Sequence, residues 1–194
     1  MVMSEGKYVV AQYGQWDGYP SGQGQTILGF LHVADMEKFK KKLKQVRLVD
    51  DEKQKEIGKF MESIGSKDGW CNMEQSDKYN KKYPYMSRDI GGEILQNIIQ
   101  AEDGEEVWVQ DSTDFVRDSL FCEWGYVVDL DKGTFEVYKG FNKRRVPKGQ
   151  RFASMLCSPN NIDERYYPIK HMQTYQLDNL PTMEEFLKRF KRFN

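Results

Sequence analysis

The residue types suited to acid–base and anion chemistry fall at Gln12, Trp16, Asp17, Tyr19, Arg88, Asp89 and Glu123. The carboxylates of Asp17, Asp89 and Glu123 can exchange protons with a substrate. Arg88 can hold a carboxylate or phosphate, and the rings of Trp16 and Tyr19 can enclose a small molecule that Gln12 or Asp17 orients. Four of these side chains stand in one stretch, Tyr8–Gly24, which begins as an apolar run and becomes a dense mixture of Trp, Tyr, Asp, Gln, Pro and Gly. Glycine allows close backbone approach, and the large amphipathic side chains between the glycines suit a shaped loop better than a loose linker. The structural alternative is that both rings cover the end of the core, Asp17 caps a turn, and Arg88 and Asp89 form a local ion pair. No residue is assigned a catalytic role.

No recognised catalytic spacing supports the chemistry. GxxxxGK[ST], HExxH and GxSxG are absent, and the glycines after Trp16 do not have the spacing of a phosphate loop. No cofactor is expected. Asp111, Asp114 and Asp118 match no calcium loop, and Cys71, Cys122 and Cys157 are far apart and odd in number, so no metal site or disulfide framework is expected. The cysteines read as small buried or semi-buried side chains. His171 is an acid or base by type alone, with no partner that the sequence identifies.

Charge clusters offer a different kind of chemistry. Lys38, Lys41 and Lys42 belong to a basic segment over 38–44, and Lys143, Arg144 and Arg145 to a second over 143–151. An acidic segment over 102–118 lies between them. Such patches supply electrostatic complementarity to a protein partner without a high net charge. The formal charge of -1 and pI of about 6.2 speak against a generally basic nucleic-acid surface and leave room for a local patch.

The elements that must position these residues follow from length and patterning. With 194 residues, 39% hydrophobic and 30% charged, the chain can bury one substantial core, and its mean hydropathy of -0.77 indicates a well-solvated surface. The expected fold is α+β, a mainly antiparallel sheet packed against helices on one side. One domain over 1–194 is expected, with a connecting excursion at 66–86. No apolar run of about 18 residues suggests a membrane span, and Met1–Lys7 lacks a signal-peptide core, so a cytoplasmic address is expected.

Lys7–Tyr13 reads as the first strand, and Thr26–Val33 as a short helix or a return strand. Asp35 can cap a helix with a stripe of Met36, Phe39, Leu43 and Val46. Ile57, Phe60, Met61 and Ile64 mark another helix ended by Gly65. The 66–85 stretch is either a covering loop or the site of a short unrecognised element. Ser87 or Asp89 can cap a helix carrying Ile90, Ile94, Leu95, Ile98 and Ile99. Val107–Gln110 reads as a strand. The clearest signal is a hairpin, Leu120–Leu130 returning through Gly133 into Thr134–Tyr138. Arg151–Cys157 and Tyr166–Met172 read as further extended segments. Thr182 and Glu185 fit a capping box before the stripe Met183, Phe186, Leu187, Phe190 and Phe193.

The stretch Gln12-Tyr-Gly-Gln-Trp-Asp-Gly-Tyr-Pro-Ser-Gly-Gln-Gly24 is similar to the N-terminal signature of an uncharacterised bacteriophage and bacterial protein family. Ser87-Arg-Asp-Ile-Gly-Gly-Glu-Ile-Leu95, Phe121–Leu130 and Phe135–Phe141 resemble later marks of the same group. The resemblance implies a phage-related regulatory or anti-defence binding protein in the host cell cytoplasm. Its partner would be a host or defence protein, with nucleic acid reached through that partner. The alternative expectation is a small-molecule or nucleotide-processing enzyme built on the residues that open this section. Direct nucleic-acid recognition, with phosphates on the basic 38–44 helix and on Lys143–Arg145 and bases on exposed aromatics, is a third.

Overall fold

The computed structural model describes residues 1–66, 70–159 and 166–193. Strands β1 (Val2–Ser4) and β2 (Lys7–Val10) form an antiparallel hairpin through Glu5 and Gly6, both at positive φ. A turn of that hand matches the twist of the strands it joins. The sequence predicts only the second strand, because Val2–Ser4 is too short to display alternation. A wide helical turn at Pro20–Gly24 leads into helix α1 (Gln25–Val33), so the segment with two readings is helical. Helix α2 (Met36–Leu43) is capped as predicted: the Asp35 carboxylate accepts from the backbone N–H groups of Glu37 and Lys38. Val46 does not extend this helix but begins strand β3 (Val46–Leu48).

Asp50 caps helix α3 (Asp51–Ser63), and helix α4 (Met73–Lys82) occupies much of the excursion. A reciprocal capping box between Asn72 and Gln75 starts α4. Helix α5 (Ile94–Gln100) is entered through a 3-10 turn at Gly91–Glu93, with Ile94, Leu95, Ile98 and Ile99 buried. Neither Ser87 nor Asp89 caps it, in contrast to the sequence expectation; both side chains are engaged elsewhere. Strand β4 (Val107–Val109) pairs parallel to β3 as a separate two-stranded sheet. Strands β5 (Trp124–Asp129) and β6 (Thr134–Lys139) form the predicted hairpin, and β7 (Lys170–Gln176) flanks it. The segment 151–154 forms turns and 155–157 no regular structure, in place of the expected strand. Helix α6 (Met183–Phe190) closes the chain, with Thr182 and Glu185 in the predicted capping box.

The main sheet runs β2-β1-β5-β6-β7, antiparallel except where β1 meets β5. The protein is therefore a mixed α+β fold with a mainly antiparallel five-stranded sheet. Alternation along the hairpin sends Tyr126, Val128, Phe135 and Val137 to one face, where α1, α2, α5 and α6 pack on them. Phe186 and Phe190 of α6 are fully buried there, with Phe186 stacked on Phe135 at 6.0 Å between ring centres. Their burial contributes about 2–3 kcal/mol each.

The opposite face carries Val127, Asp129, Glu136 and Tyr138. Loops bearing Val116, Cys122 and Phe152 cover it. Asp129 and Glu136 are buried, and Arg151 bonds to both, with Nη2 at 2.7 Å from Glu136 Oε1. Burial pushes both carboxyls up, and the Arg151 guanidinium together with bonds from the Lys132 N–H to Asp129 and from the Tyr138 and Thr134 hydroxyls to Glu136 more than offsets it, so both lie below the ordinary carboxylate range. Among the described residues, no helix is long and apolar enough to cross a membrane.

Candidate functional site

The residues 12–24 fold into a closed loop against the turn 87–92. Gln12 Nε2 donates to the Ser87 carbonyl at 2.9 Å, and the Gln15 N–H donates to the Arg88 carbonyl at 3.0 Å. Trp16 Nε1 donates to Asp89 Oδ1 at 2.8 Å. Gln23 ties the two segments from beneath: its Nε2 donates to the Trp16 carbonyl, and its Oε1 accepts from the Gly92 N–H. Tyr126 of β5 donates to the Gly18 carbonyl at 2.9 Å. Long-range hydrogen bonds thus fix the loop at both ends and in the middle.

Glycine is required where these segments meet. Gly91 holds φ at 51° and lies under the Gln23 amide, 2.5 Å from where a Cβ would stand. A side chain at Gly14 would meet the Gly91 Cα at 3.0 Å. Two backbones approach here with no room for a methyl group.

The loop displays its aromatics outward. Trp16 is 60% exposed and Tyr19 is 43% exposed. The Tyr19 hydroxyl donates to Asp17 Oδ1 at 2.6 Å, and Asp17 itself is held at a φ of 53°. This bond pushes the Tyr19 hydroxyl pKa up, because the neutral phenol is the form that donates. Neither ring seals the core, and neither lines the cleft beneath the loop. Arg88 is exposed beside Asp89 on the adjoining groove, but the two form no ion pair among the described residues. Asp89 is bound to the indole instead.

The cleft beneath the loop has a volume of about 110 Å³ and is lined by Gln12, Tyr13, Ser112, Phe115, Trp124 and Tyr126 among others. Gln12 Oε1 is buried there without a hydrogen-bond partner. Among the described residues, no Asp, Glu, His, Lys or Arg side chain lines this cleft. Asp17 and Asp89 are spent on Tyr19 and Trp16. Glu123 is exposed near Lys139, away from the loop, and its carbonyl accepts from the Gly140 N–H. The structure therefore brings Gln12, Trp16, Asp17, Tyr19, Arg88 and Asp89 into one region and leaves Glu123 outside it.

The predicted partner-surface residues divide. Lys38 and Lys41 are exposed on α2. Lys42 is turned inward, 7% exposed, donating to the Ala101 carbonyl and to Asp103. It joins α2 to the 101–105 turn and is not part of the outer face. Lys143, Arg144 and Arg145 are exposed along a groove with Lys170 and His171. Among the described residues, no group of three His, Cys, Asp or Glu side chains is placed to hold a metal ion. Cys122 is buried, and burial pushes its thiol up to about 12.

Sequence reasoning missed Gln23, which holds the loop closed, and Arg151, which neutralises two core carboxylates. The polar Asp129 and Glu136 inside an apolar hairpin were the available signal for Arg151. Comparison of the chain with protein-family models, curated proteins and solved structures finds no match.

Proposed function

We propose that this protein is a phage-related regulatory or anti-defence binding protein, and that it engages a host or defence protein through the face carrying Trp16, Tyr19 and Arg88. The observation that carries this reading is that Trp16 is largely exposed yet its indole N–H is bonded to the Asp89 carboxylate. An exposed indole has no role in the core. One held in a single orientation gives a partner a large apolar contact at little entropic cost. Trp, Tyr and Arg are also the side chains that most often dominate protein interfaces. The phage association rests on the resemblance of the loop and the later segments.

A pre-organised face favours binding over chemistry because its carboxylates are committed to holding the rings. Capture from nuclease-treated host lysate tests the reading. A stoichiometric partner retained by the natural protein and lost by Trp16→Ala/Tyr19→Ala at unchanged thermal stability supports it. Truncation of a central aromatic costs about 2 kcal/mol or more of binding, roughly 30-fold. Retention of the partner by this variant contradicts the reading.

A second reading rests on the cleft. Its lining is mostly apolar with Gln12, Gln23 and Ser112 among it, which suits a small neutral ligand. A ligand co-purifying with the protein and displaced by Gln12→Leu supports this small-molecule alternative.

A further inference from the structure

The second basic segment builds a site separate from the aromatic loop. Between 139 and 151 the chain carries Lys139, Lys143, Arg144, Arg145, Lys148 and Arg151 with no Asp or Glu among them. Arg151 is consumed by the buried carboxylates. Arg144, Arg145 and Lys170 line a groove of about 600 Å³ together with Phe141, Gln150 and His171. Among the described residues, no salt bridge reaches Arg144, Arg145 or Lys170.

The groove is rigidly built. The Phe141 N–H donates to the Ser119 carbonyl at 2.6 Å, and a Cβ at Gly140 would stand 2.1 Å from the Cys122 carbonyl oxygen. Asn142 is buried: its side chain donates to the Pro168 carbonyl at 2.8 Å and accepts from the Arg144 N–H at 3.1 Å. These contacts hold Phe141 at a φ of 51°, an unfavourable conformation for an aromatic residue, with its ring 48% exposed. Backbone strain that places an apolar ring in water gains nothing for the core and is a mark of functional sites. The Gln150 Oε1 is buried at the same groove without a hydrogen-bond partner.

We propose that this groove binds single-stranded nucleic acid directly, with phosphates on Arg144, Arg145 and Lys170 and a base stacked on Phe141. Guanidinium and ammonium groups around an exposed ring form the arrangement that holds an unpaired strand: charge follows the backbone while the ring takes a base face. Duplex fits less well, because the ring reaches only a base free of its stack. An acidic protein would use the charges but leave the exposed ring without function.

Fluorescence anisotropy with labelled oligothymidylate and oligouridylate of about twelve nucleotides tests this, against a duplex of equal length and with polyglutamate as competitor. Neutralising about three phosphates predicts binding that weakens about 20-fold between about 50 and about 200 mM salt. Phe141→Asn removes the ring but suits positive φ, and it should weaken binding about tenfold while Phe141→Tyr does not. Arg144→Glu/Arg145→Glu should abolish binding, whereas Lys55→Glu/Lys59→Glu, the same charge change on α3, should leave most of it. No binding at low salt, preference for the duplex, equal competition by polyglutamate, or indifference to Phe141→Asn would each overturn the proposal. Failure here leaves the protein-partner reading untouched, because that reading rests on Trp16 and Tyr19.

Discussion

Trp16 donates its indole N–H to the Asp89 carboxylate at 2.8 Å, joining positions 73 residues apart in the chain. The same bond fixes the most exposed ring of the aromatic loop and removes Asp89 from other chemistry. Asp89→Ala is therefore expected to leave global stability within about 1 kcal/mol, since the bond is at the surface. It should release the indole. Nitrogen-15 relaxation of the Trp16 side chain measures this directly, with a rigid order parameter in the natural protein and a clearly lower one in the variant.

Gly91→Ala should be more damaging than its location suggests. An alanine at φ 51° costs about 1–2 kcal/mol, and its methyl displaces the Gln23 amide that binds Trp16 and Gly92. A loss of about 2–3 kcal/mol in urea unfolding is expected, together with weakened partner binding.

The Asp129–Glu136–Arg151 cluster predicts the acid response. Both carboxyls have folded pKa values below their unfolded values of about 3.9 and 4.3. Their contribution is full above about pH 5 and lost as pH falls through the lower folded values. Arg151→Met leaves buried Glu136 without a counter-charge and buried Asp129 with only the exposed Lys132 ammonium at 4.0 Å, at a cost of about 3–5 kcal/mol near pH 7. Its pH slope should reverse, because burial alone raises carboxyl pKa values and protonation then favours the folded state. Thermal melts of both proteins between about pH 4 and pH 7 check the sign.

Cys122 should resist alkylation at about pH 8, because the thiolate is the reactive form and burial pushes its thiol up to about 12. Cys71 and Cys157 are partly exposed and should label first. Peptide mapping after a timed iodoacetamide pulse distinguishes them; early labelling of Cys122 would mean that the loops over the second sheet face open readily.

Elements with both a start or turn signal and an apolar face were legible in the sequence. Asp35 and Thr182 marked α2 and α6, and alternation marked β5 and β6. Helix α4 was hidden because it has no buried residue to create a stripe; only the Asn72 and Gln75 capping pair announced it. For the site, residue types pointed to Gln12, Trp16, Asp17, Tyr19, Arg88 and Asp89. Their orientation was not readable, because it depends on Gln23 and Gly91, whose contacts exist only after the two segments meet. Lys42 looked like its exposed neighbours, since a carbonyl such as that of Ala101 leaves no trace in a charge pattern.

Hydrogen exchange on the purified complex with a captured partner protein tests the central claim most directly. Binding through the aromatic loop predicts new protection at residues 13–24 and 87–92, with little change over 36–43. Protection confined to other surfaces, with the loop exchanging as in the free protein, would contradict it.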